Sequence, residues 1–230
     1  DGWEPMHSYA PCMAYTGEVQ AGGPADVHEA GDLQVTKVAV GSMSNNAYLL
    51  TCNVTGERAL IDAADEADTL LALIGDGGLA RVITTHQHFD HWQALPEVVD
   101  ATGAETVAGE DDADALPVPV DVRVQTGARV RVGSCELEVI GLVGHTPGSI
   151  ALAYDDPDGI VHLFTGDSLF PGGVGNTFGD ADAFVSLIND VESKIFDRFA
   201  DDTRVYPGHG NDTTLGAERP HLAEWRERGW

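Results

Sequence analysis

Apolar positions along the chain follow two different periods. Short stretches in which apolar and β-branched residues alternate with polar ones predict strands, and longer stretches with apolar residues three or four positions apart predict helices. The predicted strands are 33–40, 47–52, 59–61, 81–85, 106–108, 122–125, 130–132, 135–140, 150–154, 161–165 and 204–206. The predicted helices are 65–74, 92–101, 181–199 and 218–227. Since strands predominate and helices lie between them, we expect an α/β fold in which two sheets pack together with helices outside.

The length of 230 residues suits one compact domain, which we predict over residues 33–230. Residues 1–32 are rich in Gly, Pro and Ala and are predicted to be an N-terminal extension lying over the surface. Within it, residues 1–12 are interpreted as an added segment, with Met13 as the natural start.

Two further segments carry weaker predictions. The acidic run at 110–115 is typical of a solvated loop or a short helical turn. The C-terminal tail after His209 alternates acidic, basic and aromatic residues, and its helix is expected to pack on the sheet through Leu222 and Trp225. A role of this tail in substrate binding is the less favoured interpretation.

The charge balance restricts the partners. The chain has 38 acidic and 12 basic residues, a formal net charge of −26. Such a surface repels phosphate backbones and anionic lipids, so we expect a small-molecule substrate and neither nucleic acid nor membrane as partner. The chain has no apolar run of about 20 residues and no signal-peptide pattern, which predicts a cytoplasmic protein. We expect a monomer or a homodimer.

The cysteines are few and odd in number. Cys12, Cys52 and Cys135 are far apart in the sequence and show neither a disulfide framework nor a zinc-finger spacing. We expect them to be reduced, with Cys52 and Cys135 at core positions of strands.

The most informative segment is residues 86–91, which read H-x-H-x-D-H. Three imidazoles and one carboxylate lie within these six residues, and zinc-like metals bind both groups. In an extended segment His86 and His88 would project to the same side. A turn into a helix would then direct Asp90 and His91 to a second point nearby. The local geometry therefore suggests two metal ions.

Three further candidate ligands each follow an apolar run. His145 and His209 are flanked by glycines, and Asp167 comes directly after the predicted strand 161–165 and Gly166. Glycine lets the backbone approach a crowded centre. Taken singly, however, a histidine near glycine is more often a turn residue, and an aspartate after a strand is more often a cap or turn former.

Together these segments resemble the metallo-β-lactamase-fold hydrolases, over about residues 33–215. The resemblance implies an αββα sandwich of two mixed β-sheets flanked by helices. It assigns the first metal to His86, His88 and His145, and the second to Asp90, His91 and His209, with Asp167 bridging them. Asp62, after the predicted strand 59–61, resembles the family's first motif aspartate. It is expected to support the site without binding metal.

Within this family, residues 164–175 resemble the glyoxalase II group, which hydrolyses thioesters of small thiols. True metallo-β-lactamases do not generally carry an aspartate like Asp167, so thioesters are favoured over lactams. The resemblance implies two divalent metal ions, zinc foremost, with iron or manganese also suited to the ligands. A hydroxide bridging the metals would attack the acyl carbon, and Asp90 would orient it or move a proton.

Two departures from the group leave the thiol open. About twenty residues follow His209, where glutathione-specific members have a helical region, and Asn176 stands where an arginine is common. The alternatives are a lactonase or other ester hydrolase, then a persulfide dioxygenase with one iron, a β-lactamase or a non-catalytic metal-binding protein. The full set of seven candidate ligands favours two metals and hydrolysis.

Overall fold

Two large β-sheets pack face to face in the computed structural model, which describes residues 14–229. The strands β1 to β7 are Asp26–Ala30, Leu33–Val40, Asn45–Cys52, Arg58–Ile61, Arg81–Thr84, Glu105–Gly109 and Val122–Val124. The strands β8 to β15 are Arg129–Val132, Cys135–Gly141, Ile150–Asp155, Val161–Gly166, Leu169–Phe170, Gly173–Val174, Arg204–Pro207 and Thr213–Thr214. The helices α1 to α5 are Ala67–Ile74, Leu95–Thr102, Ala181–Val191, Leu215–Glu218 and Leu222–Arg228.

Both large sheets are mixed. In the first, β1 to β7 follow chain order, with antiparallel pairs up to β4 and parallel pairs from β4 to β7. The order of the second is β15-β14-β11-β10-β9-β8, and only β11 and β14 pair in parallel. Strands β12 and β13 form a separate two-stranded ribbon. Because β11 and β14 are parallel, the segments after their carboxyl ends emerge at the same edge.

Side chains on neighbouring strand positions enter different layers, as the pleat requires. Val35 of β2 lies in the core between the sheets, whereas Val38 packs in the outer layer with α1 and α2. On the other side, α3 and α5 pack on the outer face of the second sheet. This arrangement confirms the αββα sandwich expected from the sequence.

The C-terminal helix packs as predicted. Trp225 is buried in the outer core of the second sheet, and Leu222 packs against that core while partly buried. The long helix predicted at 181–199 begins where Asp180 caps it, since the Asp180 carboxylate accepts from the N–H groups of residues 182 and 183. It leaves α geometry earlier than predicted, because Glu192–Phe196 forms a π-helical turn.

Two features of the first sheet depart from the predicted elements. Asp26–Ala30 forms an edge strand paired with β2, although its sequence DVHEA lacks an apolar alternation. Strand β3 starts at Asn45, two residues before the predicted strand, so that Asn45 and Asn46 are buried at its first positions. The predictions about residues 1–12, Cys12 and Met13 lie outside the described residues. Every helix among residues 14–229 is too short or too polar to cross a bilayer.

Candidate metal centre

The H-x-H-x-D-H segment begins where the parallel strand β5 ends. The carbonyl of Thr85 accepts from the Ile150 N–H at 2.9 Å, which ties the segment to the second sheet. His88 is extended, and residues 89–91 then form a 3-10 turn that directs Asp90 and His91 inward. His86 and His91 are fully buried, and Asp90 is nearly so. The change from extended chain to turn is therefore the one expected from the sequence.

The other three candidates arrive from the second sheet. His145 lies in the loop after β9, Asp167 follows β11 directly and His209 follows β14. Gly208 is required by the crowding, because a Cβ there would lie 2.2 Å from Asp167 Oδ1 and 2.7 Å from His91 Cε1. The glycine before His209 thus has the role that the sequence suggested.

The structure brings all seven predicted residues together in three overlapping groups. Within each group one ligand atom per residue lies within 4.8 Å of the others. The groups are His86, His88 and His145; Asp90, His91 and His209; and His86, His91 and Asp167. The separation into two sets of three is the one that the family resemblance implies, and the third group places Asp167 beside both sets.

Asp167 lies between the two sets at short distances. Its Oδ1 is 3.3 Å from His91 Nε2, and its Oδ2 is 3.6 Å from both His145 Nε2 and His209 Nε2. The contact with His91 is not a well-aligned hydrogen bond, since both His91 Nε2 and Asp167 Oδ1 remain without a hydrogen-bond partner. One carboxylate is therefore within reach of both sets.

The imidazoles present the nitrogens that a metal needs. His145 Nδ1 donates to the Asn176 carbonyl at 2.7 Å, and His209 Nδ1 to the Met43 carbonyl at 3.3 Å. A histidine that donates from Nδ1 leaves the Nε2 lone pair free for a ligand. His88 is turned the other way, with its Nδ1 only 2.9 Å from His145 Nε2. Two ring nitrogens this close are well suited to a shared cation.

Unpaired buried atoms provide an independent test of the fit. His86 Nε2, His91 Nε2 and Asp167 Oδ1 are buried without a hydrogen-bond partner. Leaving such groups unpaired costs about 1–3 kcal/mol each. Cations at the centre would satisfy all three, so the residues present fit a divalent metal site.

The buried charges of the centre strongly shift the pKa values of its side chains. Burial opposes the charge of His91, but the carboxylates of Asp62 and Asp167 outweigh it and raise its pKa to about 10. Burial and the neighbouring charge of His91 hold the pKa of His86 well below its ordinary value. Burial would raise the pKa of Asp167, yet His91 and the other imidazoles hold it low. A negative carboxylate surrounded by imidazoles is the charge pattern of a cation site.

Asp62 lies directly behind His91. Its Oδ2 accepts from His91 Nδ1 at 2.7 Å and from Thr85 Oγ1 at 2.8 Å, and its Oδ1 accepts from the Thr85 N–H at 2.8 Å. It is buried with a φ of 57°, a conformation unusual outside glycine. Asp62 thus contacts a candidate ligand and stays outside the three groups.

Two further residues at the site were not found from the sequence. Asn45 Nδ2 donates to Asp90 Oδ2 at 2.9 Å and lies 3.3 Å from His209 Nε2. Asp112 accepts from the N–H groups of Gln87 and Gly148, at 2.9 and 2.7 Å, and so joins the two segments that carry the histidines. Asp112 is buried, so the solvated-loop interpretation of 110–115 is wrong at this position, whereas the alternative of a short helical turn is confirmed by the 3-10 turn Ala113–Ala115. No periodic signal marks either residue.

The metallo-beta-lactamase superfamily matches residues 40–209 of this chain. The chain belongs to that superfamily. This finding, with the two mixed sheets and their outer helices, confirms both the family resemblance and the fold class. Membership of this superfamily, together with the groups of His and Asp residues described above, implies a binuclear site for divalent metal ions.

Several relatives carry the name hydroxyacylglutathione hydrolase. The protein from Fuscovulum blasticum is 42% identical over 135 residues, which is 58% of this chain and 51% of the relative. The protein from Polaromonas is 35% identical over 178 residues, 76% of this chain and 66% of the relative. This chain thus spans between half and two thirds of the length of these relatives.

A solved structure, TTHA1623 in a di-iron-bound form, gives a similar result. It is 33% identical with a TM-score of 0.64, and the match covers 80% of this chain and 96% of that protein. The similarity therefore extends over nearly all of a solved protein of this fold.

Proposed function

We propose that this protein is a hydrolase that uses two divalent metal ions to cleave a small acyl-thioester, in the manner of glyoxalase II. The observation that carries the proposal is the position of Asp167 between two complete sets of three ligands. The names of the relatives support the thioester as the bond that is cleaved.

In this proposal the two sets and Asp167 divide as the family resemblance implies. The first ion would be held by His86, His88 and His145 and the second by Asp90, His91 and His209, and Asp167 would be shared. Zinc is the proposed metal because it accepts imidazole and carboxylate ligands equally well. Iron and manganese accept the same donors, and the di-iron form of TTHA1623 is consistent with iron.

The chemistry divides between the ions and the protein. Divalent ions supply Lewis acidity and lower the pKa of water to about 7. The protein fixes the tautomer of two imidazoles, since His145 and His209 donate from Nδ1 to backbone carbonyls and present Nε2 to the centre. Asn45 holds one oxygen of Asp90 by donating to it, and Asp90 orients the nucleophile or accepts its proton. Asp62 keeps the His91 proton on Nδ1, away from the centre.

The surface around the centre suits the organic part of a small substrate. The Phe178 ring is 71% exposed and lies 5.6 Å from the ring of His88, and Phe89 is 57% exposed. Beside His209, a cavity of about 410 Å³ is bordered by Phe170 and Pro171. Exposed apolar side chains next to polar ligands are typical of ligand sites, which place a few polar groups in an apolar surround.

Phe178 is also held in an unusual conformation. Its φ is 56°, and its N–H donates to Asn176 Oδ1 at 2.8 Å. Strained residues concentrate at sites where substrates bind. Asn176 therefore supports both His145, through its carbonyl, and Phe178, through its side chain. We propose that this neutral amide takes the place of the basic residue common in glutathione-specific members and that the thiol differs accordingly.

The proposal is tested by elemental analysis of the purified protein together with a substrate panel of an acyl-thioester, a lactone and a β-lactam. We expect two metal ions per chain and cleavage of the thioester alone. Preferential cleavage of the lactone would favour the ester hydrolase alternative. One iron per chain with oxygen consumption would favour the dioxygenase.

Two substitutions test the centre itself. His88→Ala and Asp167→Ala remove a ligand from one set and the shared carboxylate, so both should reduce thioester cleavage by at least about 100-fold. His221→Ala is the matched control, because His221 is an exposed histidine of the C-terminal segment that belongs to none of the three groups. Full activity in both ligand variants would refute the proposed function.

A further inference from the structure

Two cysteines that are far apart in the sequence meet at the end of the sandwich opposite the metal centre. Cys52 is the last residue of β3 in the first sheet, and Cys135 is the first residue of β9 in the second. Their Sγ atoms are 4.0 Å apart, and both side chains are buried, with 0% and 4% exposure. Both are free thiols in the structure, and both lie at core positions of strands, as the sequence predicts.

The two thiols have different surroundings. Cys52 Sγ lies 3.3 Å from Ser134 Oγ, whereas Cys135 Sγ lies 3.9 Å from the Tyr154 hydroxyl. Burial disfavours the Cys52 thiolate, but hydrogen bonds from Ser134 and Thr55 outweigh it and lower its pKa. Burial raises the pKa of Cys135 to about 11. One sulfur thus has thiolate character and its neighbour stays protonated, as in a pair of attacking and resolving cysteines.

A cavity reaches one member of this pair, Cys135, and the Cys52 sulfur lies 4.0 Å behind it. Its volume is about 490 Å³, and Ser134, Cys135 and Tyr154 form part of its wall together with Asp32 and Arg129. Cys135 therefore borders space that solvent can enter, although its side chain is almost covered. A peroxide is small and neutral enough to enter such a cavity.

We propose that Cys52 and Cys135 are an oxidation site, at which a peroxide forms a reversible disulfide that links the two sheets. The Cys52 thiolate attacks one peroxide oxygen, the O–O bond breaks and hydroxide leaves, so that Cys52 becomes a sulfenic acid. The Cys135 sulfur then attacks Cys52 Sγ, the S–O bond breaks and water leaves with the Cys135 proton. Two electrons pass from the two sulfurs to the peroxide.

The geometry requires only a short approach. The sulfurs must close from 4.0 Å to about 2.05 Å, a movement that side-chain rotation at two residues can share. The turn before Cys135 already lies against Cys52, since a Cβ on Gly133 would come within 2.8 Å of Cys52 Sγ. The two sheets are thus held close together where the bond would form.

The link would stabilise the fold and leave the centre unchanged. It would join residues 83 positions apart, which removes much of the freedom of the unfolded chain. Strand β3 starts at Asn45, beside Asp90, and the eight residues from Asn45 to Cys52 span about 23 Å. Oxidation at this distance should raise Tm without changing the activity.

The test treats the Cys12→Ser variant with hydrogen peroxide and quenches with a thiol-blocking reagent. We expect a mass lower by about 2 Da from the loss of two hydrogens, a peptide containing Cys52 joined to Cys135, and a higher Tm. Dithiothreitol should reverse all three. The Cys12→Ser substitution excludes a disulfide with the third cysteine.

Two further variants separate the steps. In Cys135→Ser, Cys52 should be trapped as a sulfenic acid or a more oxidised form, with no rise in Tm. In Cys52→Ser, Cys135 should react at least about tenfold more slowly, since its thiol stays protonated. Peroxide that leaves both thiols free, or that oxidises them only to sulfinic acids without a disulfide, would overturn the proposal.

Discussion

Replacing Asp62 by Asn tests how the protein orients His91. Asp62 contacts this candidate ligand but belongs to none of the three ligand groups. The Asp62 carboxylate accepts the His91 Nδ1 proton at 2.7 Å, which leaves Nε2 facing Asp167. An amide in its place keeps one oxygen for the Thr85 N–H but turns an NH₂ group towards His91 or Thr85 Oγ1. His91 would then be favoured as the tautomer with its proton on Nε2, on the side of the metal.

The magnitude follows from these contacts. Loss of a partner that orients a metal-bound histidine typically weakens metal binding about 10- to 100-fold, or about 1.4–2.7 kcal/mol. Folding should lose a similar amount, about 1–3 kcal/mol for one mispaired buried donor. The backbone should not resist the change, because Asn tolerates the positive φ of position 62 at least as well as Asp does. We therefore expect a folded protein that loses the second metal first.

The assay is a metal titration followed by isothermal calorimetry, with thermal unfolding of the metal-free protein in parallel. The wild-type protein should bind two ions, and Asp62→Asn should bind the second about 10- to 100-fold more weakly. Thioester cleavage should fall with the occupancy of that ion and recover at high metal concentration.

Asp156→Asn is the matched control. Asp156 is also a buried carboxylate that contacts a histidine, with its Oδ2 3.2 Å from His162 Nε2, but it lies at the other end of β11 from Asp167. This substitution should lower stability to a similar extent and leave both metal affinities unchanged. Equal metal affinity in Asp62→Asn and the wild type would refute the reasoning, as would an equal loss in Asp156→Asn.

Three further outcomes can be measured on the same protein. Lys37→Met should lower the free energy of unfolding in urea by about 3–5 kcal/mol, because it leaves the largely covered Asp212 carboxylate, 12% exposed, without its 2.6 Å partner. Lys194→Met, at a more exposed pair, should cost at most about 1 kcal/mol. Burial, and after it nearby positive charges, lower the pKa of His28 to about 4. The unfolded chain therefore takes up this proton first, and the free energy of unfolding should fall as the pH drops from about 6.5 towards 4. A free energy of unfolding that does not change over this range, or the same pH dependence in His28→Gln, would contradict this. Removing metal with a chelator should lower Tm, because metal binds the folded chain. Metal binding near neutral pH should also release protons, because the pKa of His91 in the metal-free protein is raised to about 10. This release is measured as a dependence of the binding enthalpy on the buffer.

Much of the fold was accessible from periodicity. The strands with β-branched alternation, such as Leu33–Val40, and the helix with apolar residues at regular spacing from Phe184 to Phe196 form close to where they were predicted. The edge strand Asp26–Ala30 was not, because one face of an edge strand stays wet and needs no apolar residues. Its pairing with β2 depends on backbone hydrogen bonds that leave no mark in the composition.

The candidate site divides in the same way. Residues 86–91 carry their chemistry within one segment, so local geometry was enough to predict two groups from them. Asp112 and Asn45 act through partners that are remote in the sequence, Gly148 for the former and Asp90 for the latter. Acidic runs are usually solvated, and nothing in the run 110–115 distinguishes the one carboxylate that is buried.

The amino-acid sequence by itself determined the layered α/β architecture and the presence of a metal-binding segment, because both depend on residues that are neighbours along the chain. Only the tertiary structure decided that Asp167 lies between two ligand sets, that Asp62 supports His91, and that Cys52 and Cys135 lie 4.0 Å apart. The physical reason is common to all three. Each contact joins two strands or loops that are brought together by strand pairing and by packing of one sheet on the other. Neither the pairing nor the packing can be predicted from a single segment.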